Sequence, residues 1–361
     1  MTALITETIP FTARDGMALN LLHVHGGNPT RGPVVLAPGA GVRATLFLPP
    51  NERTIVHALV DDGWDVYIEN WRASIDLPFT EWNLDQAAVN DHPAAVEKIV
   101  EVTGAEQVKA IIHCQGSSSF AMSAVAGLVP QVDVIVANSM SLHPVVPRWS
   151  EFKIARLVPL VGALIPYLDP RWGRRPPPRI VERLLVGIVR ATHHECDNDV
   201  CKMISFTYGS GRPALWSHEN LSPETHEWLS EEFGPVPLRF FEQMGMSVRA
   251  GRLVPTGEFA DLPPDLLLEP PKTTARWLLL TGTQNRCFLP ESQYRTQTYL
   301  RKSGRVSSRV VEVDGYGHLD MFLGRYADRD IFPTILDELT HSDRPAALPS
   351  NGHRFVYRKS T

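Results

Sequence analysis

The stretch Val108-Lys109-Ala110-Ile111-Ile112-His113-Cys114-Gln115-Gly116-Ser117 decides how the chain is read. Its apolar first half is short enough for one buried strand, and a helix of small and apolar residues is expected over residues 116–128. A single reactive side chain, Cys114, stands in the turn between them. Strand, sharp turn and helix opening on a glycine make the layout of a nucleophile elbow, which exposes one side chain at the end of a sheet. Small residues usually flank such a turn two positions to either side; Gly116 fits that pattern and Ile112 departs from it. At a helix N-terminus a thiol gains thiolate character below its free pKa of about 8.5. The plainer reading is a small buried cysteine that packs like alanine. Ser117, Ser118 and Ser119 lie past the turn and are weaker nucleophile candidates.

On either side of this stretch, short β-rich runs alternate with helical patterns. Strands are expected at residues 19–24, 34–36, 66–68, 108–112 and 132–136, with helices at 51–61 and 85–102, the second kinked or started at Pro93. The alternation predicts a parallel sheet. It stops near Leu142 and resumes after Lys272 with strands at 277–280 and 309–313 and helices at 291–301 and 327–339. The domain reading is therefore a core over residues 1–141, a helical lid inserted at 142–272, the rest of the core at 273–341, and an extension at 342–361.

Three further segments complete a reactive constellation. Asp314-Gly315-Tyr316-Gly317-His318-Leu319-Asp320 follows the last strand, where glycines let a loop carry His318 back over the elbow as general base. After the strand at 277–280, Asn285 stands where an aspartate is usual. Its amide oxygen is expected to accept the Nδ1 proton of His318, giving a Cys-His-Asn set, with Glu291, Asp314 and Asp320 as alternative acceptors. A cysteine needs less help than a serine, because thiol and imidazole pKa values lie close together. Leu36-Ala37-Pro38-Gly39-Ala40-Gly41-Val42 supplies an early glycine-rich loop, and the amides of Ala40 and Gln115 are the expected oxyanion donors.

With elbow, Asn285 and His318 in place, the chain resembles α/β-hydrolases. It is most similar to the hydrolase-like partners, often fused domains, of actinobacterial cholesterol-oxidase-type flavoproteins. More distantly it resembles polyhydroxyalkanoate synthases with an elbow cysteine. The resemblance rests on Asn70-Trp71-Arg72, His113-Cys114-Gln115-Gly116-Ser117, His193-His194-Glu195-Cys196-Asp197-Asn198, Ile204-Ser205-Phe206, Asn285 to Ser292 and Gly315 to Asp320. It implies an α/β-hydrolase fold, a mostly parallel sheet flanked by helices with an inserted helical lid. No Gly-x-Gly-x-x-Gly opens the sequence, so neither flavin nor any other cofactor is expected.

Composition narrows the partners. The 361 residues are 43% hydrophobic and 21% charged with a net charge of -5, which offers no basic stripe for nucleic acid. The apolar run at residues 154–168 is broken by Arg156, Pro159 and Pro166 and is too short to span a bilayer. The opening residues lack the pattern of a secretory signal, so a cytoplasmic protein with free thiols is expected. A homo-oligomer is left open. In the lid, His193, His194 and Cys196 are expected to line the substrate site. Together with Cys201 they lack the spacing of a structural zinc site, so no metal is expected. Trp216, Phe233, Phe240, Phe241, Met244 and Met246 favour a bulky lipophilic small molecule. The reaction expected is acyl transfer or (thio)ester hydrolysis; alternatives are non-hydrolytic tailoring of a natural product in secondary metabolism and a non-catalytic ligand-binding role.

Overall fold

The computed structural model describes residues 2–162, 164–210, 213–341 and 356–357. Strands β1 (Ile5–Thr12), β2 (Ala18–His25), β3 (Pro33–Ala37), β4 (Asp65–Asn70), β5 (Val108–His113) and β6 (Val132–Asn138) form the first part of the sheet. A two-stranded ribbon, β7 (Tyr167–Leu168) and β8 (Val236–Pro237), lies in the insertion. Strands β9 (Arg276–Gly282), β10 (Ser308–Val313) and β11 (Val356–Tyr357) complete the main sheet, whose order is β1-β2-β4-β3-β5-β6-β9-β10-β11. Pairing is antiparallel from β1 through β2 to β4 and parallel from β4 onward. This is the α/β-hydrolase architecture that the sequence led us to expect.

The central strands read as near-continuous apolar runs because helices cover both faces of the sheet. Val34, Val35, Leu36, Ile111, Ile112, Ile135, Val136, Leu278 and Leu279 are all fully buried. Local chemistry moves several boundaries. The first long helix begins at Ile55 rather than near residue 51, since the Thr54 hydroxyl accepts the His57 amide as an N-cap. Pro93 stands, as expected, at the start of a helix: it lies in the first turn of His92–Thr103, which a π turn over Ala87–Asp91 precedes. The helix expected at 327–339 is divided into Ala327–Asp330 and Phe332–Thr340, with Pro333 in the first turn of the second piece. Strand β1 has no counterpart among the expected elements.

Between β6 and β9 the chain builds helices Arg148–Phe152, Val158–Gly162, Ile180–Thr192, Asp199–Tyr208, Pro223–Glu232 and Leu238–Ala250. Among the described residues no helix is long and apolar enough to cross a membrane. Apart from residues 356–357, the extension expected at 342–361 lies outside the described residues.

The elbow is fixed by backbone contact. A Cβ on Gly116 would stand 2.0 Å from the Pro38 carbonyl oxygen, so only glycine lets helix Cys114–Ala126 start this close to the loop after β3. Gly116→Ala is expected to destabilise the fold by roughly 1–3 kcal/mol through overpacking. By contrast, Gly187→Ala, where nothing lies within 4 Å of the added Cβ on helix Ile180–Thr192, should stabilise by about 0.5–1 kcal/mol. Urea denaturation of the two variants measures both signs.

Candidate active site

Cys114 is one of two non-glycine residues with a left-handed backbone among the described residues, at φ 54°; the other is Ser139, at 56°. Such a conformation costs a side-chain-bearing residue about 1–3 kcal/mol and persists only where its surroundings impose it. Here β5 delivers the chain, Gly116 presses against Pro38, and the Ser117 hydroxyl donates to the Cys114 carbonyl at 2.5 Å. The thiol is buried, with 7% of the residue exposed.

The chain after β10 brings His318 beside it. Cys114 Sγ and one ring nitrogen each of His113 and His318 lie within 4.8 Å of one another. The two imidazoles are tilted with centroids 5.0 Å apart. Asn138 Nδ2 donates to His113 Nδ1 at 2.9 Å and to the His318 carbonyl at 3.0 Å. Burial, aided by the neighbouring His318, holds His113 well below the ordinary histidine pKa. Both ring nitrogens of His318 are buried without a hydrogen-bond partner.

Cys287 is a second close neighbour. Its thiol meets that of Cys114, and this contact is the largest influence holding Cys114 well below the usual thiol range. Burial opposes the shift, and His318 and the Gln115 amide add to it. The same contact, together with burial, pushes Cys287 well up. Of the two thiols, Cys114 is therefore the one that gives up its proton more readily.

Asn285 does not take the role expected of it. Its Oδ1 accepts the amides of Cys287 at 3.0 Å and Phe288 at 3.1 Å, and its Nδ2 donates to Ser139 Oγ at 3.0 Å. Those two amides identify the oxygen, so the edge facing Ser139 is a donor and cannot take a proton from His318. Asn285 instead shapes the turn that sets Cys287 against Cys114. The alternative acceptors are also occupied elsewhere. Asp320, raised to about 6 by burial, receives the amides of Gly317 and Ser217 and the side chain of Asn220. Asp314 accepts from Thr283, and Glu291 pairs with Arg295.

The loop after β3 is tied down on several sides. Trp71 Nε1 donates to the Pro38 carbonyl at 3.0 Å, Tyr208 donates its hydroxyl to the Ala40 carbonyl at 3.0 Å, and the Gly41 amide donates to Ala73. A crevice of about 10 Å³ beside Cys114 is walled by Gly39, Ala40, His113, Tyr208 and His318. A larger cavity of about 280 Å³ opens on the other side of Tyr208, reached by Gln115 and Cys287 and walled mostly by Val146, Ile154, Leu168, Leu185, Phe206, Leu238, Phe240, Phe241, Met244 and Phe288. Among the described residues that line it, Lys153 is the one charged group. Its ammonium donates to the carbonyls of Phe206 and Gly209 and lies 5.0 Å from the centre of the Phe206 ring, and burial lowers its pKa to about 8. Neither Tyr208 nor Lys153 carries a motif that a sequence could reveal.

Other expectations fall away. His193 packs edge-on against Phe206, His194 is exposed, and Cys196 faces His226; none of the three lines the cavity. The serines beyond the elbow are fully buried, and Ser119 is engaged by His92, which itself meets Glu69.

No protein-family model matches the chain. A stretch of 84 residues is 32% identical to Lipase lipl-3 of Caenorhabditis elegans, covering 20% of each, so the chain spans about a fifth of the curated relative it matches. Among solved structures it is similar to a thermophilic esterase from Thermogutta terrifontis (13% identity, TM-score 0.53, 94% of this chain and 100% of that one). It is also similar to a monoacylglycerol lipase from Paleococcus ferrophilus (17%, 0.56, 91% and 100%). A third likeness is to 2-hydroxy-6-oxo-6-phenylhexa-2,4-dienoate hydrolase from Rhodococcus sp. strain RHA1 (17%, 0.52, 94% and 99%). At these identities the likeness shows that the chain has the α/β-hydrolase fold.

The thiol pair yields a pH prediction. A lowered pKa keeps Cys114 as thiolate from below the ordinary thiol range upward, and its reactivity is lost as pH falls through the shifted value. Alkylation of the Cys114 peptide by iodoacetamide, followed by mass spectrometry, should therefore level off at a lower pH than alkylation of an ordinary thiol such as free cysteine. Cys287→Ala removes the largest lowering contact, so the same profile should move to higher pH.

Proposed function

We propose that the chain is a hydrolase or acyltransferase in which Cys114 is the nucleophile and His318 the general base. The observation that carries this reading is the left-handed backbone of a cysteine at the strand-to-helix turn, with a buried histidine against its sulfur. Cys114 gives its proton to His318, and the resulting thiolate Sγ attacks the acyl carbon of an ester or thioester. His318 returns that proton to the leaving alcohol or thiol, leaving an acyl-Cys114 thioester. Water or a second acceptor, deprotonated by His318, attacks that thioester; the acyl–sulfur bond breaks, and His318 returns the proton to Cys114 Sγ. The amides of Ala40 and Gln115 receive the oxyanion, with the Tyr208 contact to the Ala40 carbonyl holding that loop in register.

Cys114 and His318 act here as a dyad, since Asn285 offers His318 no acceptor. A thiolate already favoured by its neighbours asks less of its base than an alcohol would. The apolar cavity beside Cys287 supports a lipophilic acyl group, and the fold's esterase and lipase examples are in keeping with ester chemistry. The orphaned nitrogens of His318 favour one second reading, non-acyl acid–base chemistry on a lipophilic natural product without a covalent step.

Steady-state turnover of acyl-thioesters from acetyl to palmitoyl separates the two. The proposal expects longer chains to be preferred, Cys114→Ala to be inactive, and His318→Ala to be slowed about 10²–10⁴-fold. Turnover retained in Cys114→Ala but lost in His318→Ala would transfer the assignment to the second reading. Asn285→Ala leaves two buried amides without an acceptor, so it should cost about 1–3 kcal/mol of stability in urea melts.

A further inference from the structure

We propose that the insertion holds a structural zinc ion on Cys196, Cys201, His218 and His226. The four ligand atoms come from four separate places in the chain. Cys196 precedes helix Asp199–Tyr208, Cys201 lies in its first turn, His218 opens a short 3₁₀ turn, and His226 lies near the start of helix Pro223–Glu232. They nevertheless converge, with one ligand atom from each within 4.8 Å of the others. Cys196 Sγ to His226 Nε2 and Cys201 Sγ to His218 Nε2 are both 3.6 Å, and the two Nε2 atoms face each other at 3.2 Å. With Zn–S near 2.3 Å and Zn–N near 2.0–2.1 Å, a tetrahedron has S···N edges of about 3.5–3.6 Å and an N···N edge of about 3.3–3.4 Å.

A network of protons alone fits this arrangement poorly. Two facing Nε2 atoms can share one hydrogen, and thiols are weak partners for the rest. A divalent cation satisfies all four at once, with the two thiols giving up their protons to solvent on binding. The surroundings suit a thiolate-bound cation. The Asn198 amide donates to Cys196 Sγ at 3.3 Å, and both carboxylate oxygens of adjacent Glu195 are buried with no hydrogen-bond partner. Two sulfurs and two imidazoles select zinc over calcium or magnesium, and four protein ligands close the site to substrate.

The ion would brace the histidine of the active site from a distance. Leu215, three residues before His218, accepts the amides of His318 at 3.0 Å and Leu319 at 2.7 Å. Ser217 and Asn220, on either side of His218, hold Asp320. One short segment thus carries a metal ligand and the supports of the His318 loop. The spacing Cys-x4-Cys-x16-His-x7-His matches no common zinc pattern, and the expectation of no metal rested on His193, His194, Cys196 and Cys201 without His218 and His226.

The full chain, purified without chelator, equilibrated with zinc chloride and desalted, should carry about one zinc per chain by inductively coupled plasma mass spectrometry. Cys201→Ser and His226→Ala should lose it, whereas Cys114→Ala and His318→Ala, which alter the other buried Cys/His cluster, should keep it. Cobalt chloride added to stripped wild-type protein should give thiolate-to-cobalt charge-transfer absorption, and chelation should lower the melting temperature reversibly. These last readouts need no variant to fold and no substrate. A wild-type chain that retains no zinc and gives no cobalt band would overturn the proposal. So would zinc retained in full by soluble Cys201→Ser and His226→Ala.

Discussion

The Pro38 carbonyl occupies the space into which any side chain at position 116 would project, and Trp71 holds it there. Helix Cys114–Ala126 can start so close to the β3 loop only because Gly116 has no Cβ, and the chain must turn sharply to enter it. The left-handed backbone of Cys114 is the product of that turn. It lifts a thiol off the end of the sheet and presents it to the loop after β10. The sheet's parallel order places the ends of β3, β5, β6, β9 and β10 on one edge, and the loops that leave those ends bring Gly39, Cys287 and His318 to Cys114. Strain stored at Cys114 and Ser139 marks the same edge.

The segment between β6 and β9 also contributes to that edge. Its Tyr208 reaches down to the Ala40 carbonyl and stands between the thiol crevice and the apolar cavity. Its segment around Leu215 accepts the amides that fix His318. Asn285, from the core, works on the opposite side by capping the turn that carries Cys287. Cys114 thus lies against a second thiol, and His318 is held through backbone contacts, an arrangement in which no carboxylate needs to touch the imidazole.

The elbow, the alternation of strands and helices and the place of His318 were legible in the sequence because each rests on local chemistry: an apolar run, a glycine, a loop after a strand. Asn285 was legible as a position but not as a partner. Which edge of an amide faces which group depends on the backbone of residues 286–288, which no side-chain pattern encodes. Strand β1 escaped notice because it is a mostly exposed edge strand without the apolar run of the central strands. His193, His194 and Cys196 were drawn together by closeness in sequence. In space Cys196 turns away, toward His226 thirty residues on, and contacts of that range are set by how helices pack rather than by motif spacing.

The nucleophilic role of Cys114 is tested most directly by intact-protein and peptide mass spectrometry after brief mixing with a long-chain acyl-thioester and acid quenching. An added mass equal to the acyl group, mapped to the Cys114 peptide and absent from Cys114→Ala, is the result expected. Substrate consumed with no adduct on Cys114, or an adduct that persists in Cys114→Ala, would contradict the account.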